Sequence, residues 1–600
     1  MATADIQSLE KELWKTADDL RQGAGLKSSD YAQPILGLIF LRFADSKYNQ
    51  ELGKIEAEYK RCKGTLKEKP FNEIAIRVCG FYLPDCARYD YLLKQPSDAN
   101  YVNVVQGALE AVEKENEDLV GVLPKDKYSE IGASKDENLL KKLVQNFAKI
   151  PENVDIDVFG RIYEYFLGKF ALAEGQGGGE FFTPSSVVQY IVKILRPEGG
   201  RILDPACGSG GMFVQAARYM HARGKTDLSV SGVEKTKETV NLARINLVLN
   251  NIHGTVHHGN TFYSDPAHAL GAYDYVMANP PFNVDGVNYA AVQGDSRFNA
   301  YGIPRNKTQQ KKGAKDETVP NANYLWINLF ATSLTAKGRA GLVMPCGAES
   351  AGDSELEIRR RLVEEGIISQ LTVLPSNLFY TVTLPAMLWF FDKAKVGTKR
   401  RDEVLFVDAR KIYKQIDTRH RELTEEQQRC LALITRLYEG DTKEYGALVK
   451  DLRAAKCAAE KQKEKDLAAE NVAYEKGKKS AAEAKRHEKK VAEITKAGDE
   501  EIARLEGHLE WIEKNFPDGT YRDVVGLCKV AKIKGEGGIE ENGWSLNPGR
   551  YVGVEEEEDR TTPEEFRRGM LAMQEEFEAL TQEAHKLEKR IASNLKEVLG

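Results

Sequence analysis

No stretch of this 600-residue chain approaches the roughly 18 consecutive apolar residues of a membrane-crossing helix, so no span is expected. The opening Met1-Ala2-Thr3-Ala4-Asp5-Ile6 lacks the basic-then-apolar pattern of a secretory leader. The eight cysteines are scattered, and Cys79 and Cys86 stand too far apart for a C-x₂-C or C-x₄-C metal pair. No metal site is expected, and reduced thiols point to the cytoplasm. Positive charge is not in excess either. With 85 Lys and Arg against 91 Asp and Glu, the net charge is −6, which excludes a generic nucleic-acid coat. Any work on DNA then needs a local basic surface or a partner that brings one. The G-x-G-x-x-G dinucleotide fingerprint is missing as well.

What is present is globular: 42% hydrophobic and 9% aromatic residues, over a length that suggests about three or four domains. Residues 1–145 read as an N-terminal helical domain. Leu9, Leu13, Trp14, Ala17 and Leu20 keep a helical period, Ile35 to Leu41 reads as a buried helix, and a further helix falls near 104–114. The domain is either a stabilising cap or a contact for DNA or a partner. Residues 146–415 alternate strands and helices, which indicates an α/β, Rossmann-like doubly wound sheet. Strands are expected at 201–203, 228–233, 273–278, 340–344, 369–373 and 386–391, the last two as an antiparallel hairpin at the sheet edge. Residues 416–515 are rich in Ala, Glu and Lys and read as a long helical, coiled arm, with Ile502, Leu505, Leu509 and Ile512 as one seam. Residues 516–600 form a C-terminal segment: a turn-rich block at 541–552, an acidic run at 555–559, then a helix. That helix carries an apolar stripe through Phe566, Met570, Met573, Phe577, Leu580, Leu587, Ile591 and Leu595, as a partner-seeking helix does.

Two segments carry the chemistry. Ile202-Leu203 leads into Asp204-Pro205-Ala206-Cys207-Gly208-Ser209-Gly210-Gly211 and then Met212-Phe213-Val214, a strand end, a glycine-rich turn and a helix start. Glycines let the backbone approach a ligand, and helix-start amides bind polar groups. A carboxylate at the turn entrance is badly placed for pyrophosphate. It suits a cationic ligand such as the aminoacyl end of S-adenosylmethionine. Glu234, at the end of the next strand, suits ribose hydroxyls.

The second segment is Asn279-Pro280-Pro281-Phe282, again at a strand end. Two prolines make a stiff platform and keep Asn279 out of a helix. The Asn279 amide oxygen and a neighbouring backbone carbonyl can both accept from one exocyclic amine, orienting its lone pair toward an incoming methyl group. Phe282 offers a face for a planar base. Between 297 and 323, Arg297, Arg305, Lys307, Lys311, Lys312 and Lys315 form a basic loop that reads as a phosphate-tracking element or as a solvated surface.

These blocks, in this order, resemble the modification (M) subunit of type I restriction-modification systems, an adenine-N6 DNA methyltransferase. The Trp14 to Asp45 region is similar to that family's N-terminal domain, Leu378-Phe379-Tyr380 with Pro385 to a hairpin block, and 544–552 to its C-terminal signature. The resemblance implies S-adenosylmethionine as cofactor, surrounded by Asp204, Pro205, Ala206, Gly208, Ser209, Gly210 and Gly211. Glu180, Phe181, Phe182, Thr183, Pro184 and Ser185 close over the same end, Glu234 holds the ribose, and Asn260 lies near the cofactor adenine. Asn279 and Pro280 accept from the target amine, with Pro281 completing the platform and Phe282 stacking on a flipped adenine. The implied partners are double-stranded DNA, a specificity (S) subunit serving two M chains, and a restriction (R) subunit. Competing readings are a single-chain methyltransferase, a glutamine or RNA-guanine methyltransferase with a similar Asn-Pro-Pro-aromatic motif, and an inactive scaffold in a defence complex.

Overall fold

The computed structural model describes residues 3–554 except 26–27, 97, 130–137, 152–161, 163–164, 167–168, 171–182, 306–316, 380–383, 418–419 and 477–479. Beyond 554 it describes 567–568, 570–571, 573–574, 577–578, 580–581 and 584–588. Residues up to Val552 form one compact unit, and 553–600 form a second.

The first unit opens with helices α1 (Thr3–Ala24), α2 (Ser28–Cys62), α3 (Phe71–Cys79), α4 (Tyr101–Glu115) and α5 (Leu139–Phe147). The apolar run of α2 is buried as its sequence demands, with Ile35, Leu38, Phe40 and Leu41 fully enclosed. Asn100 caps α4 by accepting from the amides of Val102 and Asn103, the usual way to satisfy helix-start donors.

The α/β region then runs α6 (Ser185–Leu195), β1 (Gly200–Asp204), α7 (Gly211–His221), β2 (Leu228–Glu234), α8 (Lys237–Leu249) and β3 (His253–His258). It continues with β4 (Tyr273–Ala278), α9 (Asn323–Ser333), β5 (Leu334–Pro345), α10 (Asp353–Glu365), β6 (Ile368–Val373), β7 (Ala386–Asp392) and β8 (Glu403–Asp408). Helices α11 (Glu425–Glu439), α12 (Lys443–Lys476) and α13 (Ala481–Asn515) follow, and the chain returns as β9 (Cys528–Lys532).

One nine-stranded sheet results, in the order β9-β8-β6-β7-β5-β4-β1-β2-β3. All strands are parallel except β7, reversed between β5 and β6, and β9, reversed on β8. The strand order reverses between β1 and β4, and open sheets of this kind bind ligands outside the carboxyl ends of the strands at such a point. Apolar layers cover both faces: residues of α6, α7 and α11 on one, of α9 and α10 on the other.

The structure departs from the sequence reading in three places. The β6–β7 pair exists, but it is not at the edge: β7 is central and wholly buried, and β8 and β9 extend the sheet beyond β6. Strands β3, β8 and β9 were not anticipated. Finally, residues 516–552 belong to the sheet. β9 pairs with β8, Tyr551 stacks on Phe406 at 4.0 Å, and the Trp544 carbonyl accepts from Arg359 Nε at 2.7 Å. The 544–552 block therefore covers the sheet.

The helical domain packs against α8 of the α/β region. Ile245 and Leu249 of α8 are part of its apolar core, and Lys47 Nζ donates to the Leu249 carbonyl at 2.8 Å. The coiled arm is a hairpin of α12 and α13, joined by Lys456–Glu506 (2.9 Å), Lys463–Asp499 (2.6 Å) and a Tyr474–His487 stack, with Leu505 and Ile512 buried on the seam. In the second unit the described residues from 567 to 588 are helical, and Met570, Met573, Phe577, Leu580 and Leu587 are each at least half exposed. Phe566, Ile591 and Leu595 lie outside the described residues.

Candidate active site

The carboxyl ends of β1, β2, β3 and β4 carry Asp204, Glu234, Asn260 just beyond His258, and Asn279. The parallel sheet thus brings together residues that are distant in sequence.

The glycine turn is held from three sides. Asp204 Oδ1 accepts from the Ala206 amide at 3.0 Å, and the Cys207 amide donates to the Val233 carbonyl at 3.1 Å. Glu234 Oε2 accepts from the Gly208 amide at 3.1 Å, and its Oε1 from Thr236 at 2.9 Å. From α8, Asn246 Nδ2 donates to the Ser209 carbonyl at 2.7 Å. Gly208 and Gly210 take left-handed φ values of 50° and 81°, which favour glycine. A Cβ at Gly208 or Gly211 would meet nothing within 4 Å, so the turn faces open space that can take a cofactor. Thr261 Oγ1 anchors the Pro205 carbonyl at 2.6 Å, and Asn260 Oδ1 accepts from the Phe262 amide at 3.1 Å, bracing its own turn.

Electrostatics favour a cation at this place. Asp204 is 1% exposed, and burial, together with the nearby Glu234 carboxylate, pushes its carboxyl well above the usual carboxylate range. An arriving ammonium group offsets that penalty. Cys207 is also buried, and burial with the same two carboxylates keeps it a neutral thiol.

At the end of β4, Asn279 Nδ2 donates to Thr183 Oγ1 at 3.0 Å. Asn279 Oδ1 is buried and accepts from no partner among the described residues. Pro280 is buried, Pro281 is half-buried, and Phe282 is half-buried with its ring against the α6/α7-side core. The loop beyond is fixed by two asparagines that sequence reasoning missed. The Asn283 amide donates to Asn323 Oδ1 at 2.9 Å, and Asn323 Nδ2 donates to Asn283 Oδ1 at 2.8 Å. Asn283 has φ 53°, a left-handed value that asparagine tolerates. The signal available in sequence was an Asn directly after the motif and another at the start of α9.

Of the expected lid, Thr183, Pro184 and Ser185 are described, with Pro184 at the entry of α6. Glu180, Phe181 and Phe182 lie outside the described residues, as do Tyr380, Lys307, Lys311, Lys312 and Lys315. Ser185 lines a cleft of about 610 Å³ between α6, α7, α11 and α12. That cleft is distinct from the glycine turn, and three of its arginines are in ion pairs: Arg196 with Asp441 at 2.8 Å, Arg429 with Asp451 at 2.6 Å, Arg436 with Glu439 at 2.6 Å. The phosphate-tracking reading of 297–323 fails at Arg297, which is 4% exposed and pairs with Asp295 at 2.7 Å. Arg305 pairs with Glu317 at 2.8 Å.

Comparison with known proteins fits this geometry. A family model for N-6 DNA methylases matches residues 154–471, and one for the HsdM N-terminal domain matches 9–147. The MjaIX methylase subunit of a type I restriction enzyme from Methanocaldococcus jannaschii is 35% identical over 448 residues, 72% of this chain and 77% of the relative. The HindI counterpart from Haemophilus influenzae is 33% identical over 355 residues, 57% of this chain and 73% of the relative. Among solved structures, the type I restriction-modification methyltransferase subunit from Streptococcus thermophilus shares the fold at TM-score 0.60 and 19% identity, over 91% of this chain and 99% of that one. The turn, the Asn-Pro-Pro-Phe loop and these matches agree: the chain belongs to the N-6 DNA methylase family, among the methylase subunits of type I restriction enzymes, and is an S-adenosylmethionine-dependent adenine-N6 DNA methyltransferase.

Proposed function

We propose that Asn279-Pro280-Pro281-Phe282 is where an adenine, flipped out of a DNA duplex, presents its N6 amine, and that the 204–211 turn with Glu234 holds the methyl donor. Flipping is needed because the amine is out of reach within the stack. S-adenosylmethionine supplies a methyl group on a sulfonium: the N6 lone pair forms the new N–C bond, the C–S electrons return to sulfur, and the displaced N6 proton goes to water. Asn279 Oδ1 and the Pro280 carbonyl accept the two N6–H bonds and aim the lone pair. Phe282 stacks on the base. Asp204 faces the donor's ammonium end, and Glu234 has lone pairs left for ribose hydroxyls beyond the two used on Gly208 and Thr236. Thr183, Pro184 and Ser185, with Glu180, Phe181 and Phe182 ahead of them, close over the donor, and Asn260 lies toward its adenine.

One observation carries the catalytic assignment. Asn279 Oδ1 is a buried acceptor without a partner among the described residues, and a buried polar atom left unsatisfied costs about 1–3 kcal/mol unless a ligand meets it. Asn279→Ala should nearly abolish methyl transfer with donor binding kept, while Glu234→Ala should weaken donor binding. Calorimetric titration and a tritium-transfer assay separate the two, and normal turnover by Asn279→Ala would sink the assignment.

Site choice needs a partner. The net charge is −6, and the described residues are occupied by a helical cap, the sheet and a hairpin arm, which leaves no module to read base edges. An S subunit serving two of these chains, with an R subunit added for cleavage, fits the family. The exposed stripe at Met570, Met573, Phe577, Leu580 and Leu587 suits a helix of that S subunit. No helix among the described residues is long and apolar enough to cross a membrane, and all eight cysteines are free, in keeping with a cytoplasmic setting.

A further inference from the structure

We infer that Thr183 is a positioning residue for the methyl transfer: its hydroxyl holds the Asn279 amide by the nitrogen, so that the amide oxygen is the end left for the target amine. The inference rests on Asn279 being the acceptor for N6 and goes beyond it, because the lid segment containing Thr183 is otherwise assigned to the donor.

An Asn side chain is nearly symmetric in shape and opposite in chemistry at its two ends. Rotated by half a turn, Asn279 would offer an N–H pair to an incoming amine, donor against donor, and the target would be repelled. The two prolines that follow fix the backbone around Asn279 but not the amide rotation. That choice falls to the hydrogen bonds at the amide. Asn279 Nδ2 donates to Thr183 Oγ1 at 3.0 Å, and Oδ1 is buried with no partner among the described residues. Thr183 is itself held: it precedes Pro184, which restricts it to extended backbone, and the Pro184 carbonyl accepts from the Val187 and Val188 amides at the start of α6. With its hydroxyl accepting from Nδ2, Thr183 on this fixed backbone holds the amide in the orientation that leaves Oδ1 open to the target amine.

The test is a double-mutant cycle with Thr183→Val, Thr183→Ser, Asn279→Ala and the pair Thr183→Val/Asn279→Ala. Turnover is read by tritium transfer and donor affinity by calorimetry. A hydrogen bond of this kind is worth a factor of about 3–10, so Thr183→Val should lower kcat by that factor with donor affinity unchanged, and Thr183→Ser should restore it. In the Asn279→Ala background, Thr183→Val should lower the residual rate no further. If Thr183→Val weakens donor binding with kcat intact, or if its effect adds fully to that of Asn279→Ala, the hydroxyl does not act through Asn279 and the inference is overturned. Full activity of Asn279→Ala instead overturns the underlying catalytic reading, so the two failures are told apart.

Discussion

Gly232→Ala probes the 204–211 turn, the proposed cofactor site, through a residue that belongs to no motif. Gly232 lies in β2, two positions before Glu234, and its φ is not in the left-handed region, so alanine meets no backbone penalty there. The obstacle is space. A Cβ at 232 would stand 2.8 Å from Cys207 Sγ, 3.2 Å from Cys207 Cβ and 3.2 Å from Phe213 Cε2. Cys207 is 6% exposed and Phe213 fully buried, so neither has room to retreat. The methyl group must push the turn off β2, against the Cys207 amide bond to the Val233 carbonyl at 3.1 Å. Overpacking of this sort costs about 1–3 kcal/mol. If the strain falls wholly on the turn, S-adenosylmethionine binds roughly 5- to 150-fold more weakly. Titration calorimetry measures the affinity, and scanning calorimetry with and without cofactor measures how much strain the free protein carries. Cys207→Ala removes the closest atom but leaves its Cβ, so the double variant should recover part of the loss. Wild-type affinity in Gly232→Ala, or no recovery in the double variant, would refute the argument that β2 sets the position of the turn.

Further outcomes are expected at other points of the site. Phe282→Ala should lose about 1–3 kcal/mol of base stacking while Phe282→Trp keeps activity, read by turnover and by 2-aminopurine fluorescence at the target position. Asp204 carries a folded-state pKa above its unfolded value of about 3.9, so its ionisation removes stability as pH rises from about 4 through the raised value. Asp204→Asn should therefore melt higher than wild type without cofactor at pH 8, by a margin that shrinks toward pH 5, while binding S-adenosylmethionine more weakly. A margin independent of pH contradicts the burial argument. Removal of residues 553–600 should leave cofactor binding intact and abolish assembly with an S subunit. Light scattering after size exclusion checks this, and an unaltered complex rules the stripe out.

Local patterns in the sequence carried the motifs and the fold class. A strand end running into Asp204-Pro205-Ala206-Cys207-Gly208 and another into Asn279-Pro280-Pro281-Phe282 are recognisable because glycine and proline impose their conformations without help from elsewhere. The run from Ile35 to Leu41 could only be buried. The arm hairpin was legible from composition and from the Leu505 and Ile512 seam. Long-range placement decided the rest. β3, with His253, His257 and His258 in six residues, has no apolar signature and is a strand only because β2 supplies its hydrogen-bond ladder. β9 reaches β8 across the whole arm, and no local pattern encodes such a pairing. Arg297 looks like a surface cation in sequence and is a buried partner of Asp295 in the fold. In the site, the residue types were visible, but the contacts that orient them were not. That Asn246 grips Ser209, that Asn323 clasps Asn283, and that Thr183 takes the nitrogen end of Asn279 depend on helices and loops meeting the rim of the sheet. Side-chain hydrogen bonds are directional and short, so only the assembled tertiary structure determines which of them can form.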